Sequence, residues 1–407
     1  MAKKSSKIGW NYKLKFPNSI MIKNNEISIG IVGKGIGGLT LALALEQSGY
    51  KNIKLYEQSD TIEQSTKGAG IMLACNAMQV MKKLGLHEEL TKEGNILKRM
   101  NITNENLKVL SCINIEPFST LYNVNMVAIH REKLYHIINS KIKCEEFLGK
   151  RLEKINLVND QLNMIFKDST ESNADIIIGA DGIHSQVRNS YFSKVEMLDA
   201  GQLCWRGIAN IEMPKYANEL NEIWGKGKRF GFVKINSHQI YWYALVNTPY
   251  NDPITLYRLT YIFKDFHPDV LDIINSTEES TIITREIYDF KTLYKWYKSR
   301  VCLIGDAAHA MTPNLGQGAC QAIEDAYIFS ECLKRYESEQ ALAKFNDIRR
   351  DKASWIVERS RKIGNMSQLN HTIGIWLRNT IMSAIPSHFA YRDTKKMLDI
   401  YQYESIL

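Results

Sequence analysis

Among the 407 residues there is no C-x-x-C pair, no cysteine–histidine grouping at zinc spacing, and no run approaching the ~18 apolar residues that a bilayer span needs. A dithiol reductase, a zinc module and a membrane-spanning protein are therefore not expected. The seven cysteines (Cys75, Cys112, Cys144, Cys204, Cys302, Cys320 and Cys332) are odd in number and scattered, which reads as reduced thiols, with Cys302 a small buried hydrophobe inside an apolar run. Prolines number only eight, and neither a low-complexity tract nor an internal repeat interrupts the chain. Acids are absent from Met1 to Asn25, a stretch with six lysines, so most of the formal charge of +8 sits there and the remainder is close to balanced. This is poor ground for a nucleic-acid partner, and residues 1–25 read as a basic flexible tail. With no apolar h-region beside it, the expected location is cytoplasmic. What the chain does have is length enough for a large α/β domain with a smaller one packed on it.

The first informative stretch is Ile27 to Val32, an apolar run followed at once by Gly33-Lys34-Gly35-Ile36-Gly37-Gly38. This reads as a buried parallel strand running into a G-x-G-x-x-G turn formed by Gly33, Gly35 and Gly38. Gly33 permits the tight turn, Gly35 lets a pyrophosphate approach the backbone, and Gly38 lets the next helix pack on the strand. That helix, from Leu39 to a stop near Gly49, offers its N-terminal amides to an anion. A second strand, Ile53 to Tyr56, ends in Glu57, nineteen residues after Gly38, where an acid can accept hydrogen bonds from a ribose 2′-hydroxyl. Together these elements predict a dinucleotide site.

Two later segments repeat the theme of a buried strand ending in glycine and aspartate. Ala174 to Ile178 leads into Gly179-Ala180-Asp181-Gly182 and on to Arg188, and Val301 to Ile304 leads into Gly305-Asp306, continuing to Pro313-Asn314-Leu315-Gly316-Gln317-Gly318. In open α/β sheets such strand ends bind ligands. These segments resemble the DG and GD motifs of the group A flavoprotein monooxygenases, the para-hydroxybenzoate hydroxylase-like family, which includes salicylate-type, urate-type and zeaxanthin-epoxidase-like members. The resemblance implies that Asp306 binds the ribitol chain of FAD and that Pro313, Gly316 and Gly318 lie along its ring and pyrophosphate. It implies that Asp181, Gly182 and Arg188 contribute to FAD and NAD(P)H binding. His130-Arg131-Glu132-Lys133-Leu134 is similar to the family's R-x-x-L element and implies that Arg131 reaches FAD. The absence of a second G-x-G-x-x-G agrees with this class. The helix from Ala319 to Leu333 would open on these glycines, with Glu324 and Asp325 solvated or structural.

Between Cys204 and Asp289 the alternating, aromatic-rich sequence reads as strands of a substrate domain. Period-two spacing puts Tyr241 and Tyr243 on one face and Trp242 on the other. Arg206, beside Trp205 in an apolar strand, needs a partner: a substrate carboxylate or phenolate, or an acid across the sheet. His184 and His309 read as hydrogen-bonded scaffold residues, and no catalytic acid or base is assigned. The expected fold is α/β, a Rossmann-like FAD-binding domain with a mixed-sheet substrate domain and C-terminal helices. Residues 26–104, 128–195 and 286–345 are expected in the FAD-binding domain, 105–127 and 196–285 in the substrate domain, and 346–407 in helices packed across the junction with a break at Ile385-Pro386. The function implied is hydroxylation or epoxidation of a small aromatic or olefinic compound with NAD(P)H and molecular oxygen. An FAD-dependent dehydrogenase or reductase on the same fold, or a flavin-binding protein without catalysis, are the alternatives; the W-x-W-x-I-P signature of halogenases is missing.

Overall fold

In the computed structural model, residues 26–61, 70–158, 160–249, 255–384, 387–400 and 403 are described. The basic tail and the Ile385-Pro386 break lie outside them. The apolar runs that read as parallel strands assemble into one sheet in the order Tyr297–Lys298, Val301–Leu303, Ile176–Gly179, Ile29–Val32, Ile53–Tyr56 and Glu145–Phe147. Every neighbouring pair is parallel except the first. Ile29–Val32, Ile176–Gly179 and Val301–Leu303 are buried throughout, as strands covered on both faces must be. The glycine turn after Val32 and the two glycine-and-aspartate turns therefore leave the same edge of three adjacent strands.

The second sheet has seven strands, in the order Ile283–Phe290, Met197–Asn210, Gln239–Asn247, Lys228–Lys234, Glu219–Trp224, Arg99–Thr103 and Val109–Asn114. Arg99–Thr103 pairs in parallel with Glu219–Trp224, so the chain enters this sheet before the boundary expected after residue 104, and Ile283–Phe290 extends it past 285. Backbone pairing decides both edges, and local composition does not encode it. One face packs Trp205, Phe230 and Trp242 against Leu259, Phe263, Val270 and Ile273 of two short helices. On the opposite face Tyr241 joins the core of the nucleotide domain, and its ring lies 6.0 Å from that of Tyr243. The alternation predicted for 241–243 holds.

The helix Gly318–Arg335 packs against both Ile36–Gln47 and the 30-residue helix Ser338–Ser367. Thr372–Ala384 then crosses to the edge strand Val109–Asn114. The C-terminal helices thus bridge the two sheets, starting at Ser338, ahead of the expected boundary at 346. Cys75, Cys204, Cys302, Cys320 and Cys332 are buried and free, in line with the thiol reading, whereas Cys112 is exposed.

Candidate active site

The glycine turn is built by contact. Gly33 has φ +106°, and a Cβ there would lie 2.5 Å from the carbonyl oxygen of Ala180; one on Gly38 would lie 1.9 Å from that of Gly33. Neither position tolerates a side chain. Gly35 is different, because a Cβ built on it meets nothing within 4 Å, and it caps the start of Ile36–Gln47 with no side chain over the helix end. That bare end is where the amides and dipole of a 12-residue helix can meet a phosphate.

Glu57 is 8% exposed and its carboxylate spans the turn, Oε2 accepting from the Lys34 amide at 2.9 Å and Oε1 from the Ser59 amide at 2.9 Å. Both oxygens keep lone pairs for sugar hydroxyls. Lys34 does not face the phosphate position. It is fully buried, paired with Glu146 and 5.6 Å from the Tyr135 ring centroid.

The other two turns close on the first. Gly305, with φ +57°, and Gly37 both abut Ala322, and a Cβ on Gly318 would sit 3.7 Å from Asp306 Oδ1. Asp306 is open to solvent yet surrounded by protein, as a residue on a cleft floor is, and its carboxylate makes no hydrogen bond to a described residue. Burial raises its carboxyl, against the pull of His309 and Arg131. Pro313–Leu315 forms a 3-10 turn held by Asn314, whose Nδ2 donates to the Ser360 carbonyl and to Thr312 Oγ1, both at 2.8 Å. Arg229 of the substrate sheet donates to the same Asn314, and Gly316 follows at φ +62°.

Two predicted residues are spent inside the protein. The Asp181 carboxylate accepts from Ser185 Oγ and from the amides of Gln186 and Val187, at 2.5, 2.6 and 3.1 Å. It caps the helix Gln186–Tyr191. Arg188 is 1% exposed, donates to the carbonyls of Ala307 and Ile183 at 2.9 and 2.6 Å, and stacks 4.6 Å over Phe290. It braces the second turn against the third. The neighbouring Gly182, at φ +76°, faces open space. His184, expected as hydrogen-bonded scaffold, is exposed and its ring bonds to no described residue.

Beneath these turns lies a cluster the sequence did not reveal. Asp325 accepts from the Gly305 amide at 2.8 Å, from His309 Nε2 at 2.6 Å and from Arg349 Nε at 2.7 Å. Glu324 pairs with Arg349 at 2.7 Å and Lys352 at 2.9 Å. His309, Glu324, Asp325 and Arg349 are wholly buried, so the two acids are structural and not solvated. Burial alone would raise the Asp325 carboxyl, but His309 and Arg349 overcome it and bring it to about 2. Having i, i+1 acids on a helix that is buried on most sides was the available signal.

Facing the cleft from the substrate sheet is Arg206. Its cross-strand neighbours are Tyr243 and Ile283, so no acid lies across from it, and it forms no ion pair among the described residues. The side chain of Arg131, the first residue of the helix Arg131–Asn139, makes no hydrogen bond to a described residue. Burial lowers its guanidinium, the like charge of Arg206 adds to this, and Asp306 and Tyr241 oppose it. Burial pushes the Tyr241 hydroxyl up to about 12, with Arg206 and Arg131 pulling down. Arg131, Arg206, Asp306 and Tyr241 thus sense one another across one cleft. Two other concavities, one beside Asn210–Glu212 and one beside Tyr50 and Lys143, contain none of these residues.

Residues 26–360 match the family model described as FAD binding domain. The chain belongs to this family. It is 31% identical over 377 residues to the aurachin C monooxygenase/isomerase of Stigmatella aurantiaca, covering 91% of this chain and 98% of that one. It is 28% identical to the 2-heptyl-3-hydroxy-4(1H)-quinolone synthase of Pseudomonas aeruginosa, covering 89% and 95%. The fold superposes with a TM-score of 0.83 on Klebsiella pneumoniae HpxO complexed with FAD and uric acid, at 22% identity and coverage of 92% and 97%. The resemblance read from the motifs is borne out: the protein is an FAD-dependent monooxygenase with NAD(P)H as co-substrate. The site has the features FAD needs: an open helix end for the pyrophosphate, an anchored acid for the ribose and an unpartnered acid beyond it.

Proposed function

We propose that the substrate is a fused heteroaromatic carrying a polar oxygen substituent on the ring, 2-alkyl-4(1H)-quinolones with their 4-oxo group being the first members to test, and that Arg206 holds that oxygen. The observation carrying this reading is a permanently charged guanidinium facing the cleft with no acid opposite it. An accepting oxygen on the substrate would complement that charge through a charge-assisted hydrogen bond. The quinolone named for the Pseudomonas relative has such an oxygen.

Bound FAD supplies the oxygen chemistry, taking reducing equivalents from NAD(P)H. The protein's part is to position and exclude. The Gly33–Gly38 turn and the helix start would hold the pyrophosphate, Glu57 the adenosine ribose and Asp306 the ribitol. Arg131 would reach the same cofactor, Pro313, Gly316 and Gly318 would lie along its ring, and Gly182 would leave room at the second turn. Asp181 and Arg188 act through the turns they brace. Domain roles follow from the two sheets: the six-stranded sheet carries cofactor, and the seven-stranded sheet covers it with substrate between.

The test is aerobic NAD(P)H oxidation with 2-alkyl-4(1H)-quinolones, scoring product that has gained one oxygen atom. Arg206→Met should raise KM roughly 10- to 100-fold, as expected for a charge-assisted hydrogen bond of ~1.5–3 kcal/mol, with FAD content unchanged. An unchanged KM with a quinolone that is turned over would remove Arg206 from the substrate site. Oxidation of NAD(P)H without oxygenated product from any quinolone would remove the substrate class.

A further inference from the structure

The helix Thr372–Ala384 is built inside out. At 100° per residue, Ile373, Trp376, Leu377, Thr380, Ile381 and Ala384 share one arc. That arc faces solvent, with Trp376, Ile373, Leu377 and Ile381 between 49% and 69% exposed. The opposite arc holds Arg378 and Met382, 4% and 8% exposed. Arg378 is turned inward onto the substrate sheet, donating to the Trp224 and Ser367 carbonyls at 3.4 and 3.2 Å and lying 5.3 Å over the Trp224 ring. Met382 packs with Trp224 and Leu110. The helix has thus buried its cation and left its large apolar side chains outside, the reverse of an ordinary surface helix.

The charge flanking it in the chain is mostly of one sign, with Glu105 facing Arg378 on the buried side. From Arg359 to Leu398 there are seven lysines and arginines and a single acid, Asp393, which Arg359 neutralises. Lys362, Arg392, Lys395 and Lys396 are exposed and form no ion pair with a described residue. No helix among the described residues is long and apolar enough to cross a membrane. A Trp-, Ile- and Leu-bearing helix face flanked by lysine and arginine is the pattern of a helix lying in the interface of an anionic bilayer.

We infer that the Thr372–Ala384 face docks the enzyme on anionic phospholipid, its apolar side chains entering the headgroup boundary and the flanking cations pairing with lipid phosphate. The experiment is co-sedimentation of the FAD-loaded full chain with vesicles of phosphatidylglycerol and phosphatidylcholine, or of phosphatidylcholine alone. Pelleting should favour the anionic vesicles and weaken at high salt. Trp376→Ser with Leu377→Ser should lower partitioning by roughly tenfold for each side chain removed, with FAD content and melting temperature unchanged. Ile373→Ser with Ile381→Ser is the second pair, should the first lose FAD. No pelleting on anionic vesicles overturns the inference, as does pelleting that neither pair reduces. So does a solution dimer that the same substitutions dissociate, because the face would then bind a second copy of the chain.

Discussion

Replacing Asp325 by asparagine tests whether the buried charges beneath the cofactor turns hold those turns in place. The cluster sets two acids, Glu324 and Asp325, against two basic side chains, Arg349, which stays charged, and Lys352, whose ammonium burial disfavours. Asparagine keeps the shape but removes one charge, and turns a donor toward at least one of three donors: the Gly305 amide, His309 Nε2 and Arg349 Nε. Leaving a fully buried cation uncompensated costs about 3–5 kcal/mol, a fall in melting temperature on the order of 5 °C for the apoprotein. FAD affinity should fall as well, because Gly305 is the hinge that presents Asp306. The effect has a pH signature. The folded carboxyl lies at about 2, below its ordinary 3.8, so its stabilisation is present above pH 4 and is lost as pH falls toward 2. That difference corresponds to about 2 kcal/mol, so wild type and variant should converge by that amount between pH 5 and pH 2. Circular-dichroism melts across that range and FAD titration of apoprotein measure both effects. A variant melting within about 1 °C of wild type with normal FAD affinity would refute the reasoning. Adding Arg349→Met to Asp325→Asn should recover part of the loss, since the lone cation goes too.

Gly35→Ala and Gly38→Ala should separate binding from folding. Gly38→Ala forces a methyl to 1.9 Å from the Gly33 carbonyl oxygen and should abolish soluble, folded protein, while Gly35→Ala has open space, an ordinary φ of −74°, and should leave apoprotein melting unchanged yet weaken FAD binding; equal FAD affinity in the folded Gly35 variant would place the pyrophosphate elsewhere. Glu57→Ala should weaken FAD retention by about 1–3 kcal/mol through loss of the ribose acceptor, read by titration of apoprotein, where an unshifted curve contradicts the assignment. Asp306→Ala should do the same at the ribitol end, and a fully active yellow variant would show that the ring lies elsewhere.

What the sequence made legible was local. Gly33, Gly35, Gly38 and Glu57 follow one another within a single strand–turn–helix–strand unit, so spacing alone placed them, and the turns at Asp181 and Asp306 were visible as glycine beside aspartate after buried strands. The direction in which a side chain is spent was not legible. Asp181 and Arg188 sit where the motif requires, but their polar atoms are satisfied by Ser185, Gln186, Val187, Ile183 and Ala307, a fact of backbone geometry and not of residue type. Pairings across long separations were hidden as well. Lys34 finds Glu146 112 residues away, and Asp325 and Glu324 find Arg349 and Lys352 on the next helix. The strand Arg99–Thr103 joined the substrate sheet through pairing with Glu219–Trp224, which no composition shift announces.

The division of charge gives the site its logic. Away from the cleft several buried cations are matched with acids, Lys34 with Glu146, Arg229 with Glu222, Arg349 with Asp325 and Lys352 with Glu324, while Arg188 and Arg378 donate to backbone carbonyls. Toward the cleft, Asp306 and Arg131 have no side-chain hydrogen bond to a described residue, and Arg206 has no acid among its partners, only the Cys204 thiol and the nearby Tyr241. Desolvated charge without a partner is costly, and protein interiors retain it where a ligand completes it. The matched set fixes the backbone from below, so the unmatched set does not relax by moving together. Whatever binds must then carry hydroxyls for Asp306 and accepting oxygens for the two arginines. FAD, with its ribitol hydroxyls and phosphates, together with a substrate bearing a polar oxygen, would meet that demand, and binding them should stabilise the fold as any ligand specific to the native state does.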